Sequence, residues 1–292
     1  MKPIIVIVGP TASGKSTLAI QLASSYKGEI IAADSRTVYK GMDIGTAKPS
    51  LQEKQQVPHF GMDLIEPDRS YSAAEFKIYA TRTIRDIHER NKLPIVVGGT
   101  GLYVDGLVYD FQFGPAADPA IRTHLASLNL NELRILAAQK GINPEQVNYA
   151  NPRHLSRAIE RGGTARQRIG LPASILLIGL QIDREQLHSR IEERVGTMFN
   201  NGLVEEVKMT IKRYEPDAPA LLAPGYKAVK DYLEGNLTLE ESKEQFIRND
   251  KRLAKRQMTW FKRNKDINWC ASEHEADELT RAFLATFATI EP

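Results

Sequence analysis

The chain has a single cysteine, Cys270, in 292 residues. No intramolecular disulfide can form, so a small cross-linked secreted fold is excluded and a reducing compartment is expected. Long hydrophobic runs are missing too. The apolar stretch near the N-terminus, Ile4–Val8, is far below the roughly 20 residues of a membrane span and too short for a signal-peptide core. A cytoplasmic protein with no membrane association is therefore expected. Nor is there a dominant charge. Thirty-nine basic residues face 36 acidic ones, for a net charge of +3, so total charge points to no partner and local distribution has to. Internal repeats and low-complexity tracts are absent, which excludes solenoids and disordered tails as the main architecture. What remains is ordinary for a globular protein. Apolar residues make up 42% and charged residues 26%, with enough length for one large domain or two modest ones.

The most informative stretch is at the start. The β-branched run Ile4–Val8 leads into Gly9-Pro10-Thr11-Ala12-Ser13-Gly14-Lys15-Ser16-Thr17, then into Leu18–Ala23, which has helical composition. Strand, Gly-x-x-x-x-Gly-Lys-Ser loop and helix N-terminus together form a phosphate cradle. Glycines let backbone N–H groups curl around phosphate oxygens. Lys15 brings a full charge, and the Ser16 hydroxyl can ligate Mg²⁺. A phosphate or pyrophosphate is the expected ligand, with Gly9 through Thr17 holding it.

A second apolar run, Glu29–Ala33, closes on Asp34 and Ser35. Strand, loop, helix and strand in this succession predict a parallel α/β sheet, P-loop NTPase-like and flanked by helices, with residues just past the strand ends facing the ligand crevice. Asp34 then stands beside the phosphate loop, either as a carboxylate that accepts a proton or orients an acceptor, or as a turn or cap residue. Residues 36–49 lack periodicity and are expected to form a loop on the active face. Ser72 and Glu75 have capping-box spacing and open a helix to about Asn91. Pro94–Val97 is a third strand, ending in Gly98-Gly99-Thr100-Gly101, a second glycine-rich turn at the crevice. Motor-type NTPases place a metal-holding acid at the end of a buried strand; this strand ends in glycine, which argues against an ATP-hydrolysing machine. Ile175–Ile182 does end in an acid, Asp183, but late in the chain.

Between Gly114 and Gly170 the alternation stops. The segment is helical in composition, with breaks around Gly141–Pro144 and Asn151-Pro152, and predicts a helical insertion (114–170) within an α/β core (1–113 and 171–292). Its second half is basic, with Arg153, Arg157 and Arg161 spaced by four on one helix face, followed by Arg166 and Arg168. From Phe246 to Lys265 a further helix is expected. Ile247, Ala254, Met258 and Phe261 form its buried stripe, and eight Lys or Arg residues are opposed only by Asp250. Such one-sided charge on an amphipathic helix suits a phosphate backbone; a solvated face is the competing reading.

Taken in order, these segments resemble the tRNA dimethylallyltransferases (tRNA isopentenyltransferases) over nearly the whole chain. The resemblance rests on the Gly9–Ser16 loop, on Asp34-Ser35 with Val38–Pro49, on Tyr71–Phe76, on Val97–Tyr103, on Leu155–Ala158, on Gly225–Lys227 and on Ala254–Phe261. It implies transfer of a dimethylallyl group from its pyrophosphate to N6 of adenosine 37 in tRNAs reading U-starting codons, with Mg²⁺ near Ser16. By the same resemblance Lys15, Asp34 and Thr100 are catalytic, with Asp34 as base or orienter, and Arg194 joins the loop on the pyrophosphate. Contacts to the tRNA anticodon stem-loop carry over to Asp34, Ser35, Arg36, Thr37, Thr100, Arg122, Arg153, His154, Leu155, Ser156, Arg157, Arg252, Lys255 and Arg256, with the chain acting as a monomer. Two other readings stay open: an isopentenyltransferase acting on free AMP, ADP or ATP, and a small-molecule kinase or nucleotide-dependent RNA binder.

Overall fold

In the computed structural model, residues 2–113, 118–145, 147–162 and 169–288 are described. Arg166 and Arg168 lie outside them. The chain runs β1 (Ile4–Val8), α1 (Lys15–Ser25), β2 (Gly28–Ala32), α2 (Leu51–Gln56), β3 (His59–Phe60), α3 (Ala73–Glu89), β4 (Leu93–Gly98) and α4 (Gly101–Val108). Then come α5 (Pro119–Ser127), α6 (Leu130–Gln139), α7 (Pro152–Glu160), β5 (Ile175–Leu180), α8 (Arg184–Asn200), α9 (Leu203–Arg213), α10 (Pro224–Leu233), α11 (Leu239–Phe261), β6 (Asn268–Cys270) and α12 (Glu273–Ala288). The six strands form one sheet in the order β3-β2-β4-β1-β5-β6, and every strand pair is parallel.

Parallel strands covered on both faces read as continuous apolar runs, and β1, β2, β4 and β5 do so with almost every residue buried. One face of the sheet is sealed by α1 and α12, whose Leu18, Leu22, Ala276 and Phe283 pack with Ile5, Ile7, Ile95 and Ile178. A second core gathers α8 to α11 around Val38, Met42, Ile191, Val195, Val207, Tyr226 and Phe246. The Ser72–Glu75 capping box is present, with both reciprocal hydrogen bonds. Asp183 caps α8, accepting from the backbone N–H groups of Glu185 and Gln186 at 2.8 and 3.2 Å, and those donors hold its pKa below the usual value. The acid at the end of β5 is thus a helix cap. Among the described residues no helix is long and apolar enough to cross a membrane.

The chain divides into two compact units, residues 1–109 with 171–292, and residues 110–170. The smaller unit holds α5, α6 and α7 around its own core of Leu125, Leu133, Ala137, Leu155, Ala158 and Ile159.

Two sequence expectations need correcting. Helix α11 starts at Leu239, a full two turns before Phe246, because Thr238 and Glu241 form a capping box there. Its buried face is Phe246, Asp250, Ala254 and Phe261, while Ile247 and Met258 are only partly covered. Asp250 therefore points inward and does not oppose the basic face at all. Strand β6 and helix α12 had no counterpart in the sequence reading: β6 is only three residues long, and α12 carries its apolar residues among many charges.

Candidate active site at the C-terminal ends of the parallel strands

The site is built where β1, β2 and β4 end side by side. Beyond β1, Ala12 and Gly14 take left-handed conformations (φ 61° and 92°), which curl the loop back over the start of α1. Gly9 leaves room for Ser13: a side chain at position 9 would put its Cβ 2.8 Å from Ser13 Oγ. That hydroxyl is buried and has no hydrogen-bond partner among the described residues, an orphaned polar atom in the middle of a loop shaped for an anion. The Lys15 ammonium donates to the carbonyl of Pro10 at 3.1 Å. Burial lowers its pKa to about 8, against the opposing pull of Asp34 and with a smaller push from Arg194.

Lys15 thus feels the charges of both Asp34 and Arg194. Asp34 follows β2 and is partly buried; its Oδ1 accepts from the Arg36 N–H at 2.8 Å, the turn interaction that aspartate makes readily. No hydrogen bond to Oδ2 arises among the described residues. Thr100, at the start of α4, accepts from the Ser35 N–H at 3.0 Å through Oγ1 and lies 3.3 Å from the Ser35 hydroxyl. The carboxylate of Asp34 and the hydroxyl of Thr100 are thus held against the same short turn. Thr37 is buried and directs its hydroxyl to the carbonyl of Asp34 at 3.5 Å, so it shapes this turn more than it offers itself to solvent.

Arg194, on α8, bonds the Asp250 carboxylate through Nη2 at 2.5 Å, while its buried Nε has no partner among the described residues. Burial raises the pKa of Asp250, with Arg194 pulling the other way. Sequence reasoning missed two residues here. Gln257, on α11, accepts from the Thr11 N–H at 2.8 Å and donates to the Gly99 carbonyl at 3.0 Å, tying the phosphate loop to the end of β4. Asp250 is the second. The signal for both was available: polar residues one heptad apart on the apolar face of a helix.

The second glycine-rich turn does not act as a second cradle. A Cβ at Gly98 would fall 2.0 Å from the carbonyl oxygen of Ala33, one at Gly99 2.2 Å from Gln257, and one at Gly101 2.3 Å from the Trp260 ring. These glycines let β2 and α11 close in, and β4 ends in glycine because nothing larger fits. The neighbouring motif Met42–Lys48 is likewise structural. Glu206 accepts from the N–H groups of Asp43, Ile44 and Gly45 at 2.6, 2.7 and 2.9 Å and from the Tyr226 hydroxyl at 2.7 Å. Lys48, with its side chain only 1% exposed, pairs with Asp43 and Asp63. A cavity of about 420 Å³ lies between this loop and α8, with Arg194 at its edge, but Lys15, Asp34 and Thr100 are not among its walls.

A divalent cation would find one protein ligand at this loop. Among the described residues no group of three or more His, Cys, Asp or Glu could hold a metal. Ser16, exposed in the first turn of α1, fits the Mg²⁺ habit of taking one or two protein oxygens and leaving the rest to phosphate and water.

On α11, Arg252, Lys255 and Arg256 are exposed and carry no ion pair to a described residue, whereas Arg248 and Lys251 pair with Glu244 and Glu192. In the helical unit, taken by itself, Arg153, His154 and Arg157 are exposed on α7, and Glu160 draws Arg157 and Arg122 together at 2.7 and 3.4 Å. Leu155 corrects the expectation of a contact there. Its side chain is 0% exposed in that unit's core, so it holds the helix down while its neighbours face outward. Ser156 is partly buried.

Comparison with known proteins places this geometry. The model of the IPP transferase family matches residues 37–264, and that of an isopentenyl transferase family matches residues 2–60. The tRNA dimethylallyltransferase of Pelotomaculum thermopropionicum is 41% identical over 292 aligned residues, covering 94% of this chain and 93% of the relative. That of Anoxybacillus flavithermus is 42% identical, covering 91% and 89%. The crystal structure of the tRNA isopentenylpyrophosphate transferase from Bacillus halodurans superposes with a TM-score of 0.77 at 36% identity, covering 99% of both chains. A eukaryotic dimethylallyltransferase acting on tRNA gives 0.84 at 25% identity, covering 98% of this chain and 80% of its own. With agreement in sequence and fold along almost its entire length, the chain belongs to the IPP transferase family, that of the tRNA dimethylallyltransferases.

Proposed function

We propose that the chain transfers the dimethylallyl group of dimethylallyl pyrophosphate to N6 of adenosine 37 in tRNAs reading U-starting codons, giving N6-isopentenyladenosine. The observation that carries this reading is the Gly9–Thr17 loop itself, curled over the start of α1 around the Ser13 hydroxyl and Lys15, with Asp34 and the Thr100 hydroxyl held on one turn at the ends of the neighbouring strands. One carbon–oxygen bond breaks and one carbon–nitrogen bond forms. The allylic C1 leaves the pyrophosphate oxygen, N6 of the adenine bonds to C1, and the N6 proton passes to the Asp34 carboxylate. The loop amides of residues 9–17, with Lys15 and Arg194, stabilise the negative charge that grows on the leaving group. Mg²⁺ held by Ser16 and the donor's phosphates would supply further neutralisation of that charge. Thr100 holds the Ser35 turn and, with it, the direction of Asp34.

An adenine in an anticodon loop has to leave its stack to reach such a crevice, so the loop needs a grip on its backbone. Ser35, Arg36 and the exposed Arg252, Lys255 and Arg256 supply it from the core unit, with Thr37 shaping the turn that presents Ser35 and Arg36. Arg122, Arg153, His154, Ser156 and Arg157 supply it from the helical one.

The test is turnover of labelled dimethylallyl pyrophosphate with unmodified tRNA and, in parallel, with AMP. N6-isopentenyladenosine in the tRNA, at a rate far above that with AMP, is expected, and Asp34→Ala should reduce it by about a thousandfold without loss of pyrophosphate binding. Prenylation of AMP at a rate rivalling tRNA, or full turnover by Asp34→Ala, overturns the assignment.

A further inference from the structure

Helix α11 has two working faces. Its outer face carries Arg252, Lys255 and Arg256. Its inner face carries two polar residues, Asp250 and Gln257, one heptad apart and therefore on the same side of the helix. Asp250 is 8% exposed, and burying a carboxylate costs more than an apolar residue of the same size would. Packing alone does not call for either residue, and both bond directly to the donor end of the site.

We propose that Asp250 and Gln257 are positioning residues for the pyrophosphate donor. Gln257 works on the loop. By accepting from the Thr11 N–H and donating to the Gly99 carbonyl, its amide fixes the peptide at the start of the cradle and ties it to the end of β4. The same glutamine thereby sets the gap between the phosphate loop and the turn that carries Thr100. Asp250 works on the arginine. It holds Nη2 of Arg194 and leaves the buried Nε without a protein partner, so the guanidinium is aimed while part of its donor capacity stays unspent. Ordering a long cationic side chain before the ligand arrives removes an entropy cost from binding. A bidentate guanidinium can also engage an anion on one edge while a carboxylate holds the other. The consequence is that the helix facing the acceptor also sets the geometry of the donor.

This inference rests on the reading of the loop as a pyrophosphate cradle, and calorimetry with inorganic pyrophosphate and Mg²⁺ separates the two. Asp250→Asn and Gln257→Met should each raise the pyrophosphate Kd by about tenfold and raise KM for dimethylallyl pyrophosphate similarly, with KM for tRNA within about twofold. A residue serving only the fold would lower Tm and leave that split unmoved. Because Asp250 acts through Arg194, the double variant Asp250→Asn/Arg194→Gln should bind pyrophosphate no more weakly than Arg194→Gln alone. Should either single variant fail to fold, Asp250→Glu keeps the charge but shifts it, and the same rise in Kd is expected. Unaltered Kd in folded variants, or multiplicative losses in the double variant, overturns the positioning role while the cradle stands. A wild-type chain that binds no pyrophosphate overturns both.

Discussion

Two glycine-rich turns stand at the ends of neighbouring strands, and glycine does opposite work in them. After β1, Gly14 is needed for its backbone: its φ of 92° is left-handed, and the loop it shapes surrounds a buried, partnerless hydroxyl. After β4, Gly98, Gly99 and Gly101 are needed for their lack of a side chain, since a Cβ at any of them would strike Ala33, Gln257 or Trp260. The first turn is open toward a ligand. The second is filled by its own protein, and the Thr100 hydroxyl in it bonds the Ser35 turn. Glycine density at a strand end is therefore no measure of phosphate binding; what separates the two is whether the space left by the missing Cβ stays vacant.

Gly98→Ala is the severest way to test this contrast. The added methyl would meet a backbone carbonyl oxygen at 2.0 Å, and neither strand can retreat without breaking the β2–β4 ladder. Loss of several kcal/mol in denaturant unfolding, or failure to yield folded protein, is expected. Near-native stability would mean that the strand ends are not in contact. Lys15→Ala should do the reverse: no loss of stability in unfolding, with turnover down by about a thousandfold. If Lys15→Ala also collapsed the fold, the first turn would be structural like the second.

The intermediate case lies inside the structural turn. Thr100→Val keeps the shape and removes the acceptor for the Ser35 N–H. A fall in kcat of about ten- to a hundredfold is expected, with Tm shifted by no more than a few degrees. A large fall in Tm with kcat preserved would assign Thr100 to the fold along with its flanking glycines.

How much of this was legible beforehand follows the same division. The loop between β1 and α1, the turn at Asp34 and the α3 capping box are local patterns, in which each residue's conformation is fixed by neighbours a few positions away, and all could be read in sequence. Strands β1, β2, β4 and β5 announce themselves because burial on both faces leaves unbroken apolar runs. The purpose of Gly98 could not be read, since it depends on Ala33, which is 65 residues away along the chain but touches it across the sheet. Met42–Lys48 was a conspicuous motif whose partners, Glu206 and Tyr226, lie far downstream. Asp250 was visible as the lone acid among bases. Its inward direction was not, because the buried stripe had been drawn through Ile247 and Met258 along with Ala254 and Phe261, leaving out Phe246. Long-range partners and that misdrawn stripe account for most of what was missed.

The smallest effect concerns protons at the first turn, and it has a definite sign. Burial depresses the Lys15 pKa from 10.5 to about 8. Between those two values the unfolded chain holds a proton that the folded chain has released, so unfolding takes up a proton and stability rises with pH across that window. Below about pH 8 both states are protonated, and the cost of burying the ammonium is present in full. The unliganded protein should therefore gain about 2–3 kcal/mol between pH 8 and 10.5 from this group, a gain absent in Lys15→Met. Pyrophosphate removes that slope. It needs the charged amine, so saturating ligand raises the bound-state pKa, and affinity falls as pH passes through about 8. A rising slope for the free protein, flattened by saturating ligand and absent in Lys15→Met, is the expected outcome of denaturant titrations across that range. A variant at Gly99 or Gly101 that still folds should leave both slopes intact, because no titrating group of the second turn faces a ligand. If the rising slope survived in Lys15→Met, the proton would belong elsewhere and the first turn would lose its claim to be the charged one.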